Sequence, residues 1–314
     1  MSTSTAQFVL SDHESALQLS QKASDLISKS TSMRNSLPLS ILAPSETPEM
    51  WTNLEQTFYA CLQTGDDKSA HLALQRLTQR FGANNERVMG LKGLYQEAVA
   101  KETGDLRKII EEYNKILLEN PTNGPIHKRR IAIMRSLKHD NEAIAALVDF
   151  LESFPADTEA WCELADLYQS QGLGSQAMFC LEEALLNVPY AWNLHVRLGE
   201  LGYMAALSTT DGADAAQRLL VQAIKRFGRS VELCDDYLRG YYGLKLATAY
   251  FLKTGFVTKN VSSDYLSKDT VQRLHDLATI KLDQIVNKRS SPQLKGIDES
   301  SIIAARELLD RTKT

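Results

Sequence analysis

Amphipathic stretches that end at proline dominate the middle of the chain. Three of them, KIIEEYNKILLENP, NEAIAALVDFLESFP and SQAMFCLEEALLNVP, place apolar side chains every three or four residues, as an amphipathic helix does. They end at Pro121, Pro155 and Pro189, which follow one another at intervals of 34 residues. Because proline cannot continue a helix, the pattern predicts a helix-turn-helix unit of 34 residues.

The stretch at residues 158–191 carries the complete pattern of a tetratricopeptide repeat, whose period is also 34 residues. Small residues in this pattern let two helices approach closely, and large residues fill the space between them. The predicted repeat-packing residues are Trp161, Leu164, Ala165 and Tyr168 on the first helix, Ala177, Leu181 and Ala184 on the second, and Pro189 at the end. We expect Trp161 to be a large buried side chain.

Less regular copies flank this unit. Residues 124–157 form an in-register copy in which His127 takes the place of the large aromatic residue, and further copies begin near Trp51, Asn85, Leu198 and Arg239. About six units result. The predicted fold class is therefore all-α, a tetratricopeptide-repeat superhelical solenoid with helical caps.

The ends of the chain depart from the repeat pattern. Residues 1–49 read as one helix over 1–30 followed by a linker rich in proline and serine, and residues 50–255 hold the solenoid. Residues 256–314 are predicted to be C-terminal capping helices, because an uncapped last repeat would expose its apolar face to water. The sequence thus predicts three parts.

Composition and motifs argue against several classes of function. A formal net charge of -4 gives no overall field that would attract nucleic acid. The four cysteines form no C-x-x-C pair, no two histidines are spaced i, i+4, and no phosphate-binding or nucleophile motif occurs. We therefore expect no catalytic residue, no metal and no cofactor, and thiols that stay reduced as in the cytosol or nucleus.

No signal sequence and no apolar run long enough to span a membrane are present in the sequence. If the chain works at a membrane, we expect it to be held there by partners.

The densest positive patch is the run His127, Lys128, Arg129 and Arg130, with Arg135 further along the same predicted helix. Three interpretations remain open: a solvated or ion-paired helix face, a docking site for an acidic partner segment, and an RNA-binding site, which the lack of interleaved aromatic residues weakens. First helices line the concave face of such a solenoid, where a partner segment would bind. The candidates for this face are Lys128, Arg135, Glu159, Asp166 and Gln169.

One use of this fold is to hold the acidic tail of a chaperone between lysine and asparagine side chains. Cys162 and Asp166 stand where such a clamp needs lysine and asparagine, and Asp166 would repel a carboxylate. A freestanding adaptor for peptide tails, of a chaperone or an RNA-processing partner, is therefore the alternative rather than the main hypothesis.

Three stretches resemble the family of subunit 2 of the endoplasmic reticulum membrane protein complex. They lie at residues 54–88 (LEQTFYACLQTGDDKSAHLALQRLTQRFGANNERV), 116–133 (ILLENPTNGPIHKRRIAI) and 142–189, which includes EAWCELADLYQSQGLGSQAMFCLEEALLNVP. Together they cover about half of the chain in the same order.

The resemblance implies a non-catalytic scaffold subunit on the cytoplasmic face of the endoplasmic reticulum. Such a subunit would belong to a complex that inserts transmembrane segments, including those of tail-anchored proteins, without nucleotide hydrolysis. Its partners would be the cytosolic tails and loops of membrane-embedded subunits and another soluble subunit. Nucleic acid would not be a partner, and this chain itself would not span the membrane.

Overall fold

The computed structural model describes residues 13–32, 47–254, 266–289 and 299–311. This part of the chain contains fifteen helices and no strand. The helices are α1 (His13–Gln21), α2 (Ala23–Ser32), α3 (Pro48–Thr64), α4 (Asp67–Phe81), α5 (Glu86–Val99), α6 (Thr103–Glu119), α7 (Gly124–Ser136), α8 (Asp140–Ser153), α9 (Thr158–Ser170), α10 (Gly174–Asn187), α11 (Trp192–Ser208), α12 (Ala213–Leu233), α13 (Leu238–Thr254), α14 (Lys268–Arg289) and α15 (Glu299–Arg311).

The chain divides into two compact units, residues 1–146 and 147–314. We call them unit 1 and unit 2. The division falls inside α8, which contributes its first half to unit 1 and its second half to unit 2. The three-part organisation inferred from the sequence stays a prediction, and most of its proline- and serine-rich linker, residues 33–46, lies outside the described residues.

Polar side chains fix where the first helices begin. Asn123 and Asp157, just before α7 and α9, accept hydrogen bonds from the backbone N–H groups of Ile126 (3.2 Å) and Ala160 (2.9 Å). Such caps satisfy N–H groups that have no partner inside the helix. Both caps come two residues after a proline of the 34-residue series, so the end of one repeat also sets the start of the next.

Unit 1 begins with a short helix pair rather than the single helix predicted for residues 1–30. Residues 1–12 lie outside the described part, and the helix breaks at Lys22, between α1 and α2. Both helices rest on α3: Ala16 packs beside Ala60, and Ala23 joins the core around Phe58. Ala16 and Ala23 are seven residues apart, about two helical turns, so both small residues face α3 on either side of the break.

Unit 2 shows close helix approach at the predicted small positions. Ala165, Ala177, Leu181 and Ala184 are fully buried, Leu164 is 2% exposed, and Tyr168 is half-buried. Pro189 lies exposed between α10 and α11. Trp161, however, is only half-buried, so the expectation that it would be a large buried side chain is wrong.

Further along unit 2, an aromatic ring packs against glycines on both neighbouring helices. Phe227 of α12 fills a notch made by Gly199 of α11 and Gly243 of α13. A Cβ atom at Gly243 would lie 2.2 Å from the Phe227 ring, and one at Gly199 would lie 3.0 Å from it. The two glycines therefore let the first helices α11 and α13 close around the second helix α12.

Helix pairs pack together at α3–α4, α5–α6, α9–α10, α11–α12 and α13–α14. Successive first helices also touch, α5 with α7 in unit 1 and α11 with α13 in unit 2. The pairs α3–α4, α5–α6, α7–α8, α9–α10, α11–α12 and α13–α14 follow the predicted repeats. This arrangement confirms the all-α, tetratricopeptide-type repeat fold.

Candidate partner-binding surface

The five candidate partner-binding residues lie on two first helices that belong to different units. In unit 1, Lys128 and Arg135 are half-buried on α7, seven residues and thus about two turns apart. In unit 2, Glu159, Asp166 and Gln169 are exposed on one side of α9. The structure therefore places these charged and polar side chains on the two first helices α7 and α9. Their role in binding stays a prediction.

Asp166 is already engaged within unit 2. Its carboxylate accepts a hydrogen bond from the guanidinium of Arg197, which lies on α11, the next first helix. The Asp166 side chain remains 51% exposed. Because Arg197 offsets its charge, Asp166 repels a partner's carboxylate less than the sequence alone suggests.

The same kind of ion pair joins first helices elsewhere in both units. In each case a carboxylate on one first helix meets an arginine on the next. In unit 1, Arg87 Nη2 lies 2.8 Å from Glu55 Oε2. In unit 2, Arg239 Nε and Nη2 donate to the two carboxylate oxygens of Glu200 at 2.6 and 2.7 Å. We call these pairs the arginine ladder: Glu55–Arg87, Glu97–Arg129, Asp166–Arg197 and Glu200–Arg239. Sequence reasoning missed it, although three of the four pairs are 31 or 32 residues apart, close to the repeat length.

The most buried rung includes a tyrosine. Tyr113 of α6 donates its hydroxyl to Glu97 Oε1 at 2.7 Å, and Arg129 Nε donates to the same oxygen at 2.9 Å. Burial raises the pKa of Tyr113, and the adjacent Glu97 raises it further. Burial opposes the charge of Arg129, but the hydrogen bonds and charge of Glu97 outweigh burial and raise the Arg129 pKa. Tyr113 and Arg129 therefore both keep their protons near neutral pH.

Several side chains of the basic run on α7 make contacts within the chain. Arg129 belongs to the arginine ladder, and Arg130 Nη1 donates to Asn114 Oδ1 of α6 at 3.1 Å. His127 donates its Nε2–H to the carbonyl oxygen of Pro121 at 2.9 Å. These contacts favour the ion-paired interpretation for the centre of the run. The roles of Lys128 and Arg135 in partner binding stay predictions.

A ring N–H on the first helix bonds back to the preceding proline in three successive repeats. The donor follows the proline by six residues each time, and the N···O distances are 2.9, 2.9 and 3.0 Å. The pairs are His127 with Pro121, Trp161 with Pro155, and His195 with Pro189. Histidine can therefore replace tryptophan at this position, because both supply a flat ring with one N–H donor.

The cysteines are placed as structural thiols. Cys61 and Cys180 are buried, Cys162 and Cys234 are half-buried, and all four are free. Burial raises the pKa of Cys61 and of Cys162, and it raises the pKa of Cys180 to about 11. At neutral pH these three therefore remain protonated, and the thiol is a poor nucleophile. The described residues contain no group of three or more histidine, cysteine, aspartate or glutamate side chains placed to hold a metal ion.

Open cavities occur on unit 2. One, of about 580 Å³, includes the Glu200–Arg239 rung together with Tyr237, Tyr242 and Arg289 in its lining. Another, of about 290 Å³, lies among α8, α9 and α10 and is mostly apolar. None of the helices in the described segments has both the length and the apolar character needed to cross a bilayer.

Comparison with known proteins agrees with the repeat pattern. The family model of the EMC2 TPR-like repeat domain matches residues 73–211. The TPR repeat protein oca3 of Schizosaccharomyces pombe is 32% identical over 260 residues, which cover 80% of this chain and 87% of that protein. The ER membrane protein complex subunit 2-A of Xenopus laevis is 31% identical over 216 residues, 69% of this chain and 68% of that protein. The Saccharomyces cerevisiae ER membrane protein complex subunit 2 is 27% identical over 193 residues, 60% of this chain and 65% of that protein.

Solved structures offer more distant likenesses. The MamA protein covers 68% of this chain and 96% of its own length, with 15% identity and a TM-score of 0.46. The pilF protein of Pseudomonas aeruginosa covers 78% of this chain and 95% of its own length, with 12% identity and a TM-score of 0.48. Both are too distant to bear on function. The close sequence relatives and the matching repeat domain show that this chain belongs to the family of ER membrane protein complex subunit 2.

Proposed function

We propose that this chain is a non-catalytic scaffold subunit of an ER membrane protein complex, held on the cytoplasmic side of the membrane by its partners. The observation that carries the proposal is the close similarity to proteins named as subunit 2 of that complex, over more than two thirds of this chain. Tetratricopeptide-type helix pairs suit a scaffold because each pair adds surface to the next.

The partners would be cytosolic tails and loops of membrane-embedded subunits and a second soluble subunit. The complex would support insertion of transmembrane segments, including those of tail-anchored proteins, without nucleotide hydrolysis. Other subunits would carry out insertion, and this chain would hold them in place.

The arginine ladder supports this role physically. Each rung ties one first helix to the next, so the side chains beside it sit on a surface that is already ordered before a partner binds. Preordering lowers the entropy cost of association. In unit 1, Lys128 and Arg135 would attract an acidic partner segment. In unit 2, Glu159 would offer a carboxylate and Gln169 an amide to a partner segment that carries both basic and neutral polar side chains.

Cells that lack the chain and receive it back as variants would test the proposal. The readouts are insertion of a tail-anchored reporter and the steady-state amounts of the other complex subunits. Arg135→Glu should restore both less well than the wild type because it reverses the charge on the proposed binding side of α7. Arg107→Glu is the matched control, since Arg107 is exposed on α6, a second helix of the same unit.

Equal rescue by Arg135→Glu and wild type would remove Arg135 from the binding surface. If loss of the whole chain left both insertion and subunit amounts unchanged, the scaffold proposal itself would be wrong.

A further inference from the structure

Residues 147–191 of unit 2 contain no lysine, arginine or histidine. The same stretch contains eight carboxylates: Asp149, Glu152, Asp157, Glu159, Glu163, Asp166, Glu182 and Glu183. Two arginines from the following helices reach into the stretch, where Arg197 pairs with Asp166 and Arg226 with Glu182. This part of unit 2 is therefore a strongly acidic stretch of a chain whose overall charge is only -4.

An apolar groove lies within this acidic stretch. It has a volume of about 290 Å³ and is lined by residues of the second helices α8 and α10 and of the first helix α9. Its apolar lining includes Val148, Leu151, Trp161, Leu164, Tyr168 and Phe179. We call it the α8–α10 groove. Phe179 is 55% exposed and Val148 is 38% exposed, so the groove presents bulky apolar groups to solvent.

Phe179 is held in place although half of it is exposed. Its ring meets the ring of Trp161 edge to face, with 6.2 Å between centroids and an interplanar angle of 83°. Trp161 is fixed in turn by its Nε1–H bond to the carbonyl of Pro155. A rigid exposed aromatic side chain is a favourable anchor for a partner because little side-chain freedom is lost on binding.

Carboxylates stand at the edge of the groove. Glu152 of α8 lines it directly, Asp149 precedes Glu152 by about one turn, and Glu183 follows Phe179 by about one turn on α10. Asp149 and Glu152 are exposed and Glu183 is half-buried. Within the described ranges none of these three forms an ion pair, so their charge is available to a binding partner.

We propose that the α8–α10 groove binds an amphipathic helix of a partner protein whose apolar face is flanked by lysine or arginine. The apolar lining would take the apolar face, and Asp149, Glu152 and Glu183 would attract the basic flanks. None of the five first-helix candidates lines this groove, although α9 contributes to both surfaces. The inference does not depend on the proposed function.

A helix fits this groove better than an extended segment does. The lining offers few polar groups, chiefly Gln176 and Glu152, to pair with the backbone of an extended strand. A helix satisfies its own backbone hydrogen bonds and can bury an apolar stripe without such partners. A third helix laid between α8 and α10 would also continue the helix-on-helix packing of the repeat.

Synthetic labelled peptides provide the test with the full chain. The first peptide is built from leucine, alanine and lysine with all leucines on one helical face. The second has every lysine replaced by glutamate, and the third has the composition of the first with the leucines scattered around the helix. Fluorescence anisotropy at low and high salt should show binding of the first peptide, weaker at high salt, and at least about tenfold weaker binding of the other two.

Variants locate the binding to the groove. Phe179→Ser and Glu152→Lys should each weaken binding of the first peptide, the former by about tenfold or more because it removes the central anchor. Leu186→Ser is the apolar control, since Leu186 is 75% exposed at the far end of α10, and Asp214→Lys at the start of α12 is the charge control. Both should bind as the wild type does. Thermal unfolding checks that each variant is folded.

Three results would overturn the proposal. Equal binding of the glutamate peptide would exclude recognition by charge. Equal binding of the scattered peptide would indicate plain electrostatic attraction without a groove. Wild-type affinity in folded Phe179→Ser or Glu152→Lys would place the binding elsewhere on the chain.

Discussion

At the scale of single residues, a recurring position is defined by a hydrogen bond rather than by a residue type. His127 looks like a defect in the repeat when only the large aromatic pattern is considered. The structure shows that its ring N–H makes the same bond to a proline carbonyl as that of Trp161. The six-residue spacing was visible in the sequence, but the bond was not, because only the fold shows which way the ring points.

His195 makes this position sensitive to pH. Burial lowers its pKa, the bond to the Pro189 carbonyl works in the opposite direction, and the charges of Arg226 and Arg229 add to the lowering. Its Nδ1 is buried and has no hydrogen-bond partner among the described residues. Below an unfolded pKa of about 6.5 the unfolded chain binds more protons than the folded one, so this histidine's contribution to stability falls as the pH is lowered.

We expect His195→Phe to lower the free energy of unfolding by about 1 kcal/mol at pH 7.5 because the bond to Pro189 is lost. The difference from wild type should narrow at pH 5.5, since only the wild type carries the protonation penalty. Urea unfolding of both proteins at pH 7.5 and pH 5.5 measures this difference in the free energy of unfolding. Trp161→Phe is the control: it removes the equivalent bond without a titrating group, so its deficit should not depend on pH. A His195→Phe deficit that is equal or larger at pH 5.5 would contradict the account.

Gly93 and Tyr113 form a second residue-scale test. A Cβ atom at Gly93 would lie 2.2 Å from the Tyr113 hydroxyl oxygen, which is bonded to Glu97. Gly93→Ala should therefore destabilise unit 1 by about 1–3 kcal/mol, as overpacking does. Tyr113→Phe removes that oxygen, so Gly93→Ala should cost less when it is combined with Tyr113→Phe. A double-mutant cycle by urea unfolding measures the coupling, and purely additive effects would show that the close approach does not matter.

At the scale of helices, the repeat period predicted the two well-marked pairs closely. The predicted units at 124–157 and 158–191 contain α7–α8 and α9–α10, because proline and the Asn or Asp caps mark both ends. The break at Lys22 was not predicted, since α1 and α2 are continuous in hydrophobic period. No glycine or proline stands at the break to signal it in the sequence. The arginine ladder was not predicted either, because it depends on which faces of successive first helices meet.

Rungs of the ladder should differ in their contribution to stability according to burial. In the Glu97–Arg129 pair the side chains are 11% and 28% exposed, whereas in the Glu200–Arg239 pair they are 33% and 56% exposed. Arg129→Met leaves a buried carboxylate without its cation and should cost about 3 kcal/mol. Arg239→Met should cost about 1 kcal/mol or less.

Urea unfolding of both variants tests this order. Adding Glu97→Gln to Arg129→Met should recover part of the loss, because the uncompensated charge is removed. Equal costs at the two rungs, or no recovery in the double variant, would show that burial does not decide the strength of the ladder.

At the scale of the whole molecule, the 34-residue period was enough to predict the fold class, and the quoted stretches were enough to predict the family. The division inside α8 was not predictable, because it reflects which contacts are dense in space and the repeat pattern continues through it. The acidic stretch 147–191 was visible in the sequence, but it suggests a binding site only together with the apolar groove, which the structure places among its carboxylates. The roles of Lys128, Arg135, Glu159, Asp166 and Gln169 stay predictions, because which side chains bind depends on the shape and charge of the partner as well as on this chain.

The most direct test of the central claim is purification of the tagged chain from detergent-solubilised membranes, with mass spectrometry of the proteins recovered in stoichiometric amounts. We expect several multi-spanning endoplasmic reticulum proteins and at least one further soluble subunit to accompany it. Recovery of soluble chaperones or RNA-binding proteins alone would contradict the scaffold proposal and would favour a freestanding adaptor built on the same fold.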